Sequence, residues 1–151
     1  MVAQSFQGLI NPLDLQPGKQ LIDGATIAAL VKQNNTGVTS QVALAGGGYT
    51  GATPVNYYIT EFTTVASAND SCVLPLALAG IEVTVINSGA QNLRIYCNNA
   101  NPNNLSAAGS PIADTIIALA GGAGVAYVTL PAAGFAVFSC PGVGRWKSQN
   151  V

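Results

Sequence analysis

The residues able to do chemistry are few. The chain carries no histidine, three cysteines, six carboxylates and five Lys and Arg in 151 residues. Without histidine, the Ser-His-Asp and Cys-His routes to a nucleophile are closed. Cys72, Cys97 and Cys140 are odd in number, widely spaced and set in apolar strand patterns, so they read as buried free thiols. No Cys-x-x-Cys pair is present, and three distant thiols with scattered carboxylates do not make a zinc site. No metal and no cofactor is expected.

The carboxylates Asp14, Asp23, Glu61, Asp70, Glu82 and Asp114 could in principle furnish a glycosidase pair. Asp23 and Asp70 already have local work, at a helix N-cap and a turn. Glu61 and Glu82 fall in strand patterns where a solvated position is the default. Arg94 is expected to pair with Glu82 across a hairpin or to face water. Trp146 beside Arg145 could be a sugar-stacking platform or the cap of a core, the commoner use of an aromatic. Gly46-Gly-Gly and Gly121-Gly-Ala-Gly124 lack the Lys-Ser/Thr of a phosphate loop, so they read as hairpin loops or points of close approach. No catalytic residue emerges, and the chain is not expected to be an enzyme.

The elements that would position these residues are mostly strands. A central stretch, Asp70 to Gly89, runs from the Asn69-Asp70 turn through a short apolar segment to Pro75. A small-residue corner then leads into Ile81-Glu-Val-Thr-Val-Ile86, rich in β-branched residues. Asn87-Ser-Gly89 reads as a tight turn, and Leu93-Arg-Ile-Tyr96 as the returning strand. Val38–Leu44, Val55–Val65, Ile112–Leu119, Ala126–Leu130 and Gly134–Cys140 supply further strands, and Gly144-Arg-Trp-Lys147 ends the sheet; Ile112–Leu119 is the one segment where a helix competes. Asn98–Pro111 is polar and loop-like. Val73-Leu-Pro-Leu-Ala-Leu-Ala-Gly80 is echoed by Thr129-Leu-Pro-Ala-Ala-Gly134, as though two corners carry strands from one sheet to another. The expected fold is mainly β: an antiparallel β-sandwich or jelly-roll-like domain over residues 38–151. Residues 1–37 are expected to form an N-terminal extended arm and one short helix, running from Asp23 to about Asn35.

Only 7% of the residues are charged, against roughly 25% in ordinary soluble domains. Such a surface suits a protein covered by copies of itself or by a partner, or else a domain solvated by Ser, Thr, Asn and Gln. Five scattered cations make nucleic acid a poor ligand. No apolar run reaches the roughly eighteen residues of a membrane helix. Met1–Gln7 has no basic region followed by an apolar core, so a signal peptide is not expected and synthesis in a reducing cytoplasm is.

Phe62-Thr-Thr-Val-Ala-Ser-Ala-Asn-Asp-Ser-Cys-Val-Leu-Pro75, Ala79-Gly80, Val83-Thr-Val-Ile-Asn-Ser-Gly-Ala-Gln-Asn-Leu-Arg-Ile-Tyr96 and the closing Gly144-Arg-Trp resemble a pattern of tailed-bacteriophage virion proteins. These are small β-rich capsid decoration (cement) proteins, head fibres and related tail modules. The resemblance spans about residues 53 to 148, and Gly24-Ala-Thr-Ile-Ala-Ala-Leu-Val31 is similar to lead-in segments of such proteins. It implies a structural virion protein on the capsid surface, made in the host cytoplasm, that binds the major capsid protein as a homo-oligomer. A trimer is favoured, with an arm-swapped dimer as the other form, and neither nucleic acid nor membrane is a partner. The oligomer and capsid contacts would be the apolar residues of the arm and helix: Phe6, Leu9, Ile10, Leu13, Leu15, Ile27, Leu30 and Val31. The other reading is a receptor-binding fibre module stacking host glycans on Trp146, Tyr57 and Tyr58.

Overall fold

The structure, a computed structural model, describes residues 37–118 and 121–151. The expected arm, the helix from Asp23, and all eight expected contact residues from Phe6 to Val31 lie outside them. The chain divides between Thr36 and Gly37. The second unit is mainly β, and no helix occurs among its described residues.

Its strands are β1 (Gly37–Val42), β2 (Thr53–Pro54), β3 (Ile59–Thr64), β4 (Ser71–Val73), β5 (Glu82–Asn87) and β6 (Leu93–Tyr96). They continue as β7 (Asn101–Leu105), β8 (Pro111–Ile112), β9 (Thr115–Ala118), β10 (Tyr127–Leu130), β11 (Gly134–Gly142) and β12 (Arg145–Gln149). A six-stranded sheet has the order β1-β3-β5-β11-β12-β9, a four-stranded sheet the order β10-β6-β4-β2, and β7 pairs with β8 alone. In the segment Ile112–Leu119, Ile112 ends β8 and Thr115–Ala118 form β9, with no helix over its described part.

From β1 to β6 the chain changes sheet at every step, with the odd strands in the six-stranded sheet and the even ones in the four-stranded sheet. Each strand is thus followed by an excursion through the other sheet. The chain returns in its original direction, which makes neighbours parallel. β1 with β3, β3 with β5, β2 with β4 and β4 with β6 are all parallel, as is β9 with β12. Among the strands, the antiparallel pairs are β5 with β11, β6 with β10, β11 with β12, and β7 with β8. The antiparallel expectation is corrected on this point: the sheets are mixed. The cause is local. Asn87-Ser-Gly89 does not fold β5 back beside β6, but carries the chain from one sheet to the other.

A two-residue turn survives where β11 meets β12, at Val143-Gly144. Gly144 adopts φ 79°, the left-handed conformation that glycine enters without a Cβ penalty. Pro54 sits in β2, the outermost strand of its sheet, where a missing N–H costs no ladder bond.

Both sheets contribute to one core. Phe62, Val83, Val85, Ala136, Phe138, Cys140, Trp146 and Ile116 come from the larger sheet, and Cys72, Leu93, Ile95 and Leu130 from the smaller. Alternation selects them: in β5, Val83, Val85 and Asn87 are buried while Glu82 is exposed. Burying each large apolar side chain is worth about 1.5–3 kcal/mol. Trp146, Phe62 and Phe138 are the largest fully buried side chains.

Candidate functional site

The groups with chemical potential are occupied by structural work. Asp70 is buried, and its carboxylate accepts hydrogen bonds from the backbone N–H groups of Gly46 (3.1 Å), Ala66 (2.8 Å) and Ser67 (3.0 Å). It ties the Gly46–Gly48 loop to the turn before β4, where Ser71 Oγ also donates to the Gly48 carbonyl at 2.8 Å. A Cβ on Gly47 would collide with the backbone carbonyl of Asn69. That glycine loop is a close approach, as its sequence context suggests, and its Gly46 N–H is spent on Asp70. In the second glycine loop, Gly124 lies so near Thr115 that a Cβ would stand 2.7 Å from the threonine Cβ. Ile116 and Val125 bridge across the same loop.

Asp114 is also buried. Its Oδ2 accepts from the Ala77 N–H at 2.9 Å and its Oδ1 from Asn101 Nδ2 at 2.8 Å. Asn101 Nδ2 reaches the Ala77 carbonyl as well, at 3.2 Å, and the Gly144 N–H donates to the same oxygen at 3.0 Å. The polar segment after Asn98, expected as plain loop, therefore supplies a buried side chain. Asn87 does comparable work: its Nδ2 donates to the carbonyls of Gln91 (2.8 Å), Leu130 (3.2 Å) and Pro131 (3.0 Å), and its Oδ1 accepts from the Gly89 N–H at 3.0 Å.

Glu61 and Glu82 lie on the outer face of the larger sheet. Glu61 accepts from Ser88 Oγ at 2.6 Å and Glu82 from the Tyr58 hydroxyl at 2.8 Å. That bond and the charge of Glu82 raise the Tyr58 pKa above its ordinary value. The expected Arg94–Glu82 pair does not form, because β5 and β6 belong to different sheets. The guanidinium of Arg94 lies instead over the ring of Tyr127, 5.3 Å from its centroid.

The three cysteines are free and buried. Burial pushes the Cys72 and Cys140 thiols upward, and burial with the neighbouring Asp114 charge pushes Cys97 up to about 11. Cys97 Sγ lies 2.9 Å from the Asp114 carbonyl oxygen, as a donor would. These thiols stay protonated at neutral pH and are poor nucleophiles. Among the described residues no cluster of three or more His, Cys, Asp or Glu could hold a metal. No helix among them is long and apolar enough to cross a membrane.

Of the three residues suggested for glycan stacking, Trp146 is fully buried in the core and offers no ring face to a ligand. Tyr57 is exposed, and Tyr58 is tied to Glu82. That grouping is not a site.

What the fold does present is a set of exposed apolar side chains. Phe135, Ile86 and Glu61 stand in one outward row across β11, β5 and β3; Val137, Thr84 and Ile59 form the next. Phe135 is 53% exposed and Ile59 38%. Val42 at the edge strand, Leu105 and Ile112 on the β7–β8 ribbon, and Val143 at the β11–β12 turn are exposed too. Sequence reasoning placed the contact surface in the first 37 residues and passed over this face. Its signal was available: Phe135 and Val137 are an i, i+2 apolar pair opposite in phase to Ala136 and Phe138. A strand apolar in both phases reads as doubly buried, and here one of its faces is open.

No family model matches the chain, and no curated protein or solved structure matches it.

Proposed function

We propose that the chain is a structural protein of a tailed-bacteriophage virion, a decoration (cement) protein that binds the outer surface of the major capsid shell and stabilises it. Within this reading the β domain is a sandwich, residues 1–37 are an arm with a short helix, and the working form is a homo-oligomer, a trimer in preference to an arm-swapped dimer. The action is binding alone, with no catalytic step, cofactor or metal.

The observation that carries the reading is the exposed apolar cluster around Phe135 and Ile59 on the outer face of the larger sheet, bordered by Glu61 and Glu82, in a chain only 7% charged. Exposed apolar side chains clustered on a sheet face mark a contact surface, and a chain this poor in charge gains solubility by covering such a surface. The commitment of every described carboxylate and thiol to a partner or to the core supports a scaffold over an enzyme. The resemblance of residues 53 to 148 to virion β modules supplies the identity of the assembly.

Virions with and without the protein, heated in parallel and assayed for DNA release, test this directly. The expected outcome is release at a lower temperature from particles lacking the protein, restored by adding it back. Equal heat resistance with and without it removes the cement role. Sedimentation of the purified chain at three times its mass is the expected oligomer.

A further inference from the structure

We propose that the outer face of the four-stranded sheet binds an acidic oligosaccharide, with Tyr127 and Tyr96 receiving a sugar ring and Arg94 its carboxylate. This site lies on the opposite sheet from the apolar face described above and does not depend on where in a virion the protein sits.

The strand register assembles the surface. Tyr127 of β10 pairs with Tyr96 of β6, Tyr96 with Val73 of β4, and Val73 with Pro54 of β2. Paired residues project to the same side of a sheet. Four residues from four strands thus form one row, aromatic at one end and aliphatic at the other, about 14 Å across at the usual strand spacing. Tyr127 is 42% exposed and Pro54 is exposed, while their strand neighbours Leu130 and Val55 are buried in the core. The Tyr96 and Tyr127 rings lie 5.1 Å apart at 39°, and Tyr49 meets Tyr96 edge-on at 6.4 Å. Tyr49 is held there by its hydroxyl, which donates to Asn98 Oδ1 at 3.3 Å. Three of the five tyrosines of the chain therefore meet at one place.

Arg94 supplies the charge. It projects to the same side as Tyr96, two residues along β6, and pairs with Thr129 of β10 in the next row. Its guanidinium packs over Tyr127. The four carboxylates among the described residues are engaged elsewhere: Glu61 by Ser88, Glu82 by Tyr58, Asp70 by three backbone N–H groups, and Asp114 by Ala77 and Asn101. A cation spread over an aromatic surface and lacking a carboxylate among these partners is complementary to an anion from outside.

The form of the surface selects the class of anion. A nucleic acid needs several cations tracking its phosphates, whereas Arg145 and Lys147 belong to β12 of the other sheet. A pyranose needs only one ring to cover its C–H face, and the hydroxyls of Tyr96, Tyr127 and Thr129 then surround it with donors and acceptors. A uronic or sialic acid adds the carboxylate that Arg94 can bind through two parallel N–H groups.

The test is NMR of the isotope-labelled full-length protein, following the Tyr96 and Tyr127 ring signals during titration with tetragalacturonate and with sialyllactose. Lactose serves as the neutral comparison and an oligothymidylate as the nucleic-acid comparison. At least one acidic probe is expected to shift both rings saturably, with lactose weaker by about tenfold or more, the scale of one charge-assisted contact. Arg94→Gln should bring the acidic probe down to the lactose level, Arg94→Lys should recover part of the difference, and Tyr127→Ser should abolish the response. Unchanged Trp146 and Phe138 core signals confirm that each variant is folded. The proposal is overturned if neither acidic probe moves the rings, if lactose binds as well, if Arg94→Gln leaves binding intact, or if oligothymidylate binds more tightly. Heat release of DNA from particles reads none of these outcomes, so this site and the cement role fail or stand separately.

Discussion

Leu74–Ile81 and Pro131–Ala133 do the same job by different means. Each carries the chain from the four-stranded sheet to the six-stranded one, the first from β4 to β5 and the second from β10 to β11. Both follow a Leu-Pro step, Leu74-Pro75 and Leu130-Pro131, and run through alanine to a glycine, Gly80 and Gly134. The longer corner is held by a charge: the Asp114 carboxylate and the Asn101 amide bind the N–H and C=O of Ala77, and Gly80 donates to the Cys140 carbonyl at 2.8 Å. The shorter corner is held by a neutral group, the Asn87 amide, which caps the Leu130 and Pro131 carbonyls. It closes by a local bond from the Gly134 N–H to the Pro131 carbonyl at 3.1 Å, with Ala133 at φ 56°. A corner of seven or eight residues has polar backbone groups facing the core that water cannot reach, so a side chain must satisfy them. A corner of three turns on itself and needs only its carbonyls capped.

Asp114→Ala should have the largest effect on this pair. It leaves the Ala77 N–H unpaired in the interior and strips the Asn101 amide of one of its two acceptors, a loss of about 3–4 kcal/mol in chemical denaturation. Asn87→Ala removes donors to three carbonyls and the acceptor of the Gly89 N–H, but a carbonyl is easier to re-satisfy than an N–H, and Gly89 is only half-buried where Ala77 is buried, so a loss of about 2–3 kcal/mol is expected. A loss for Asn87→Ala equal to or above that for Asp114→Ala would break the comparison, since the charged clasp would then carry no extra weight.

Alkaline pH should separate the corners by the smallest amount. Cys97 lies beside Asp114 at the first corner. Its pKa rises from 9.0 in the open chain to about 11 in the fold. The folded state therefore keeps a proton that the unfolded state has lost. The contribution is full below pH 9, falls as pH climbs from 9 towards 11, and is gone above that. The denaturation midpoint of the parent protein should decline over this window, and Cys97→Ala should decline less steeply. A decline of the same slope in Cys97→Ala would place the effect in the other two thiols or elsewhere.

The β character of residues 38 to 151, the strand status of Ile81–Ile86, Leu93–Tyr96 and Gly134–Cys140, and the two corners were all legible in the sequence. They depend on alternation, β-branching and proline, which are properties of neighbours along the chain. The buried free thiols were legible for the same reason: each sits in an apolar strand pattern. The contact residues expected in the first 37 residues fall outside what the structure describes.

Asn87-Ser-Gly89 shows where local reading ends. The same three residues suit a hairpin turn or an arch between sheets, and the dihedral preferences of asparagine and glycine allow both. What chooses the arch is distant. Asn87 meets carbonyls more than forty residues away at Leu130 and Pro131, and Gly89 passes so close to Val65 that a Cβ would lie 2.6 Å from the valine Cβ. Once that arch carries β6 into the other sheet, Arg94 parts from Glu82 and meets Tyr127. Sequence by itself determined most of the strands, though not β7 in the polar segment after Asn98, and which of their residues face inward. Only tertiary structure decided which strands are neighbours, because pairing partners are selected by packing across the whole core and leave no mark on either strand alone.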